Sequence, residues 1–185
     1  MVSAFDLYGF AAIVFYFFVY SFLGWVLENS YSLATTRKFF KEGFFRGPFK
    51  PMHGFAPVLL VWFIGPSTHW SIILLLCLII PTTVEYVSGF LLYTFFHRRW
   101  WDYSKIPMQL QGHICLSFSA CWVFLSVICV KWIHPLLTSG YEFIDSYWIW
   151  LSPIIMLYFF AELFFSIRRH SPQRSSVSKE PNTSQ

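Results

Sequence analysis

Twelve of the 13 Lys and Arg residues fall into three segments separated by pairs of apolar stretches. Arg37, Lys38, Lys41, Arg46 and Lys50 fill the first gap, and Arg98, Arg99 and Lys105 follow the third stretch. Arg168, Arg169, Arg174 and Lys179 follow the last, leaving Lys131 as the exception. Basic residues beside membrane spans are retained in the cytoplasm, so this alternation predicts both the number of crossings and their sense. The expected fold is all-α: a polytopic membrane helical bundle of five transmembrane helices, N-terminus outside and C-terminus cytosolic. Residues 1–170 would form the membrane domain and 171–185 a disordered cytosolic tail, because Val177 is the tail's one aliphatic residue.

Charged residues make up 12% of the chain, against about 25% in soluble domains. The net charge of +4 does not point to nucleic acid, because the cations sit beside apolar spans, where they favour anionic lipid headgroups. The first apolar stretch has no positive segment before it, so it reads as a retained span in reversed orientation rather than a signal peptide. Cys77, Cys115, Cys121 and Cys129 lie in apolar stretches without a Cys-x-x-Cys pair; buried free thiols are expected, with no metal site and no cofactor. No Gly-x-x-x-x-Gly-Lys-Ser/Thr loop occurs, so the chain carries no ATPase motif of its own. Asn182-Thr183-Ser184 matches a glycosylation sequon, but a cytosolic tail does not meet the transferase.

Leu7 to Leu27 is uncharged over 21 residues, enough for one crossing at about 20 residues per helix. The stretch Gly54–Ile64 between Pro51 and Pro66 is short, yet the basic segments on either side of spans two and three require it to cross. Spans from about Trp70 to Phe96 (broken by Pro81), Ile114 to Val130 and Tyr147 to Ile167 complete the set. Gly65-Pro66-Ser67-Thr68 reads as an external turn.

Three carboxylates lie in or beside these spans: Glu28, Glu85 and Glu162. An ionised side chain at mid-bilayer costs roughly 2.5–3.5 kcal/mol on insertion scales, so such residues face protein or water and are candidates for function. Tyr16, Tyr20, Gly24, Glu28 and Ser32 recur every fourth residue, with Ser21 and Trp25 alongside, so a polar and small-residue stripe runs down the first helix. Pro81, Thr82, Glu85 and Gly89 make a similar face on the third, and Tyr158, Glu162 and Ser166 on the fifth. The expectation is a cytosol-facing polar cavity on which the three glutamates converge. Glu28 paired with Arg37 or Lys38, or Glu162 bonded between helices, are the structural alternatives.

The loop Gly43–Gly54 holds Arg46 among prolines and glycines, a shaped entry able to hold a phosphate or a carboxylate. In the second basic loop, Asp102 is expected either to pair with an arginine or to cap a turn, while His113 reads as a structural residue. Tyr20, Trp25, Arg46 and Asp102 thus join the three glutamates as cavity or substrate-binding candidates.

Taken in order, Tyr20-Ser21-x-x-Gly24-Trp25-x-x-Glu28, Arg46-Gly47-Pro48-x-x-Pro51-x-x-Gly54, Glu85-Tyr86-x-x-Gly89, Trp101-Asp102-Tyr103-Ser104 and Gly112-x-Ile114-Cys115-Leu116 resemble one family. It is the CmpB-like ABC-transporter permease family of small bacterial integral membrane proteins. His53, Gln111, His113 and Glu162 depart from its usual Tyr, Asn, Arg and Asp. The resemblance implies a multi-pass protein of the bacterial inner (plasma) membrane and a transporter permease-like component. Its partners would be membrane lipids and a second copy or a separate ATPase subunit. A membrane-embedded enzyme on a lipid or isoprenoid substrate, with Glu28, Glu85 and Asp102 as acid–base groups and Arg46, Arg98 and Arg99 on phosphate, is an alternative. It lacks a histidine–carboxylate pair or ligand cluster at a diagnostic spacing, which favours a non-enzymatic role. A non-catalytic scaffold or accessory subunit is the other alternative.

Overall fold

The structure is a computed structural model that describes residues 7–171; the segment expected to form a disordered tail lies, apart from Ser171, outside the described residues. Helix α1 spans Leu7–Thr36, α2 Pro51–Phe63, α3 Trp70–Phe96, α4 Leu116–Ile128 and α5 His134–His170. A π-helical segment, Cys129–Ile133, joins α4 to α5, so the chain is helical from Leu116 to His170 without interruption. The all-α expectation needs one correction. Strands β1 (Gln109–Leu110) and β2 (Ile114–Cys115) pair antiparallel ahead of α4. His113 N–H closes their turn on the Leu110 carbonyl at 3.0 Å, and Gln111 and Gly112 take φ values of 52° and 74°. Two left-handed residues in the centre make the hairpin turn whose twist matches paired strands.

Among the described residues, three helical segments are long and apolar enough to cross a membrane: Gly9–Thr36, Trp70–Phe96 and Leu116–His170. The expected separate fourth and fifth spans share one helical run, and α2, with 13 residues, measures about 20 Å against a hydrocarbon core of about 30 Å. Helix α1 continues nine residues beyond the hydropathy boundary at Leu27. The hydroxyls of Thr35 and Thr36 bond back to the carbonyls of Tyr31 and Ser32 at 2.8 Å, keeping this polar stretch helical. Arg37, at φ 57°, ends it. Pro81 does not break α3, which is continuous through it.

The bundle inverts the polarity of a soluble protein. Phe143, Trp150, Leu136 and Leu157 are largely exposed, while Ser21, Asn29, Glu85, Ser126 and Ser166 are buried. An apolar exterior around a polar interior is what hydrocarbon as solvent selects. The buried positions of α3, namely Ile73, Cys77, Pro81, Glu85 and Gly89, recur every fourth residue. They form the stripe that packs on α2 and α4.

The order of contacts with α1 shows how the long helical run lies. Phe118 meets Tyr31, Tyr20 bonds His134 at 2.9 Å, Tyr16 bonds Thr138, and Trp148 donates to the Ala11 carbonyl at 2.8 Å. Contacts then climb again: Phe159 packs on Phe18, and Glu162 reaches the Arg46 loop. The contacts descend along α1 as far as Ala11 and climb again after Trp148, so the run reverses its course within α5. Phe44 and Trp100 both pack on His170, and Arg98 pairs with Glu42 at 3.1 Å. The basic loops and the end of α5 share one end of the bundle. Lys131, the exception to the charge pattern, covers the Trp70 ring at the other end, 4.5 Å from its centroid.

Candidate functional site

Close approach of α1 and α2 begins the site. A Cβ on Gly24 would overlap His53, and a Cβ on Gly54 would overlap Ser21 and the Phe17 carbonyl. With neither present, Lys50 N–H reaches the Ser21 carbonyl at 3.0 Å. Lys50 and His53 are thereby carried to Glu28: Lys50 Nζ lies 2.9 Å from Oε2, Lys41 Nζ 3.6 Å from the same oxygen, and His53 Nδ1 3.7 Å from Oε1. The cations on Glu28 are therefore Lys50 and Lys41, not Arg37 or Lys38.

Glu85 is built differently. The loop after α3 folds back along that helix, with Tyr86 donating to Gln111 at 2.9 Å and His113 seated against the Tyr86, Phe90 and Tyr93 rings. Trp101 Nε1 bonds the His113 carbonyl, and Tyr103 N–H bonds the Gly112 carbonyl, both at 2.9 Å. This return places the Tyr103 hydroxyl 2.9 Å from Glu85 Oε1, while Trp122 of α4 donates to Oε2 at 2.8 Å. Burial, followed by the Glu85 charge, pushes the Tyr103 phenol well above its usual range, so it remains a donor. Glu85 is 3% exposed, and both oxygens accept from neutral groups with no cation in ion-pair range among the described residues. Tyr103 and Trp122 are the residues that reading the sequence missed as partners of Glu85. Their spacing carries no periodic signal, since the hairpin between them sets the distance.

Glu28 and Glu85 line one cavity of about 650 Å³, walled mainly by Leu27, Tyr31, Trp101, Phe118, Phe124 and Leu125. Glu162 does not join them. Its Oε1 accepts from the backbone N–H groups of Arg46 and Gly47 at 2.7 and 3.3 Å, which shapes the first basic loop. It faces Arg46, Arg168 and Arg169 in a separate depression. Tyr20 is buried against His134 and borders a smaller cavity with His53 and Trp122. Trp25 and Arg46 line a third cavity of about 800 Å³ with Lys41, Lys50, Arg98 and Arg169. Asp102 is exposed, pairs with Arg99 at 3.0 Å, and accepts from both the hydroxyl and the N–H of Ser104. The Ser104 bonds, ahead of Arg99, hold its carboxyl below the usual range. Burial, and then Arg99, push His113 down, against the opposing pull of Asp102.

Among the described residues no three His, Cys, Asp or Glu side chains gather as a metal site. Three cysteines are buried free thiols, but Cys121 is exposed and borders the 650 Å³ cavity. The expectation of four buried thiols is corrected there, because position 121 lies on the wall of an open cavity.

An apolar exterior, buried polar stripes and long apolar helices fit a helical membrane protein. The chain belongs to the family described as Putative ABC-transporter type IV, whose family model matches residues 15–167. No curated protein and no solved structure matches the chain.

Proposed function

We propose that this chain is a five-span, inner-membrane component of a transport system, with its N-terminus outside, and that the cavity holding Glu28 and Glu85 is its ligand-binding chamber. The observation that carries this reading is Glu85: a carboxyl group buried in the cavity wall, held by Tyr103 and Trp122 and matched by no cation among the described residues. Burying an ionisable group of that kind is costly unless something needs it, which is why intramembrane carboxyl groups mark ligand or ion pathways. The five-span count is supported by the descent and return of the Leu116–His170 run along α1. The orientation is supported by the gathering of the basic loops at one end of the bundle. With no ATPase motif in the chain, hydrolysis would belong to a separate subunit docked on the basic loops, and a second copy would enlarge the pathway.

The test compares a deletion strain complemented by wild type or by Glu85→Gln, with membrane abundance measured by blotting. Small molecules in cells and medium are profiled by mass spectrometry. Compounds redistributed by the deletion should be restored by wild type and not by Glu85→Gln at equal abundance. Full restoration by the Gln variant would leave Glu85 a packing residue and defeat the proposal.

A further inference from the structure

Two cavities of opposite character meet at one ion cluster. The first is the 650 Å³ chamber, mainly apolar and aromatic, with Glu28, Glu85 and Lys41 as its charged-type residues. The second, of about 800 Å³, is lined by five cations, Lys41, Arg46, Lys50, Arg98 and Arg169, with Glu42 as the one carboxylate on its wall. Lys41 lines both, and Lys50 of the basic cavity bonds Glu28 of the apolar one at 2.9 Å. On α1, Glu28 lies between Trp25, which faces the basic cavity, and Leu27 and Tyr31, which face the apolar one.

The charges in the basic cavity are unevenly met. Arg98 pairs with Glu42, and Lys41 and Lys50 share Glu28. Arg46 and Arg169 have no carboxylate partner among the described residues, and the one acid beside them, Glu162, is bonded to backbone N–H groups by Oε1. Guanidinium groups gathered around a single carboxylate leave an excess of positive charge, and their planar donor forks match a phosphate. The apolar chamber meanwhile opens sideways. Helix α1 meets the long helical run at Tyr31–Phe118 and at Tyr20–His134. Between those two contacts the lining residues Leu27, Cys121 and Phe124 are exposed on the outer face of the bundle.

We infer that the two cavities are one site for an amphiphile with a phosphate head and a hydrocarbon tail. The head sits among Arg46, Arg169 and Lys41, and the tail enters between α1 and α4. This rests on reading the apolar cavity as a ligand chamber, and adds the class of ligand.

Cys121 supplies a native reporter, because it borders the tail chamber while the other three thiols are buried. Alkylation of Cys121 by N-ethylmaleimide is followed in purified protein with added phosphatidic acid, diacylglycerol of the same chains, or glycerol 3-phosphate. Phosphatidic acid should protect at about tenfold lower concentration than diacylglycerol, the gain expected of one or two charge-assisted contacts. Glycerol 3-phosphate should neither protect nor compete. The double variant R46Q/R169Q should bring phosphatidic acid to the diacylglycerol level without changing the latter. If that variant does not fold, raising salt on the wild type should erode the same preference, because these cations are exposed and screened.

Equal protection by phosphatidic acid and diacylglycerol overturns the inference, as does a preference indifferent to both salt and the variant. Competition by glycerol 3-phosphate also overturns it, assigning the basic cavity to a soluble phosphate. A lipid-binding failure alongside an inactive Glu85→Gln leaves the transport reading in place. Intact binding with a fully active Glu85→Gln removes transport and leaves a lipid site.

Discussion

At the scale of single residues, the Glu85 carboxylate depends on two donors from different elements. Tyr103→Phe removes one, leaving Oε1 without its protein donor. Leaving a buried acceptor without its donor costs about 1–3 kcal/mol, so thermal unfolding in detergent should show a lowered midpoint for Tyr103→Phe and a similar loss for Trp122→Phe. Unchanged midpoints in both would mean that Glu85 is held by something else. The return loop should also loosen in acid. The Asp102 carboxyl is depressed in the folded state, so its contribution is present above the usual carboxylate range and fades as pH falls through the lower folded value. His113 is depressed too, so the unfolded loop binds the proton more readily, and stability is lost as pH drops below about 6.5. The two effects share a sign. Amide hydrogen exchange across residues 99–113 should quicken, relative to the intrinsic rate, between neutral pH and pH about 3, and no change would contradict the assignment.

At the scale of elements, α1 and α2 cross where Gly24 and Gly54 leave no side chain between them. Gly24→Leu or Gly54→Leu should separate the helices, at the 1–3 kcal/mol or more typical of about one overpacked position, and should pull Lys50 and His53 from Glu28. Reduced membrane abundance or a lowered unfolding midpoint is the measurement; wild-type values in both would refute the close crossing. Element ends were unevenly legible. The bounds of α3 coincide with its apolar stretch because His69 caps one end and His97, at φ 52°, closes the other. The end of α1 was not legible by hydropathy, since Asn29 to Thr36 is polar and still helical through hydroxyl back-bonds. Nor was the α4–α5 junction, where Lys131 and Pro135 resemble a loop but are accommodated by a π-helical segment and the first turn of a helix.

At the scale of the whole molecule, the polarity of the two ends makes a prediction of topology. In a Cys121→Ala background, Ser67→Cys should react with an impermeant maleimide in intact cells, while Phe40→Cys and Ser104→Cys should react only after permeabilisation. The reverse pattern would refute the orientation. From the residues alone, the apolar exterior, the polar stripes and the segregation of cations were legible, because each is a one-dimensional pattern with a physical period. That the loop after α3 turns back to set Tyr103 on Glu85, that Glu28 takes Lys50 and Lys41, and that Glu162 stands apart were decided only by the tertiary structure. Those contacts join residues from separate elements, and their distances depend on helix crossings and a hairpin turn that no local spacing encodes.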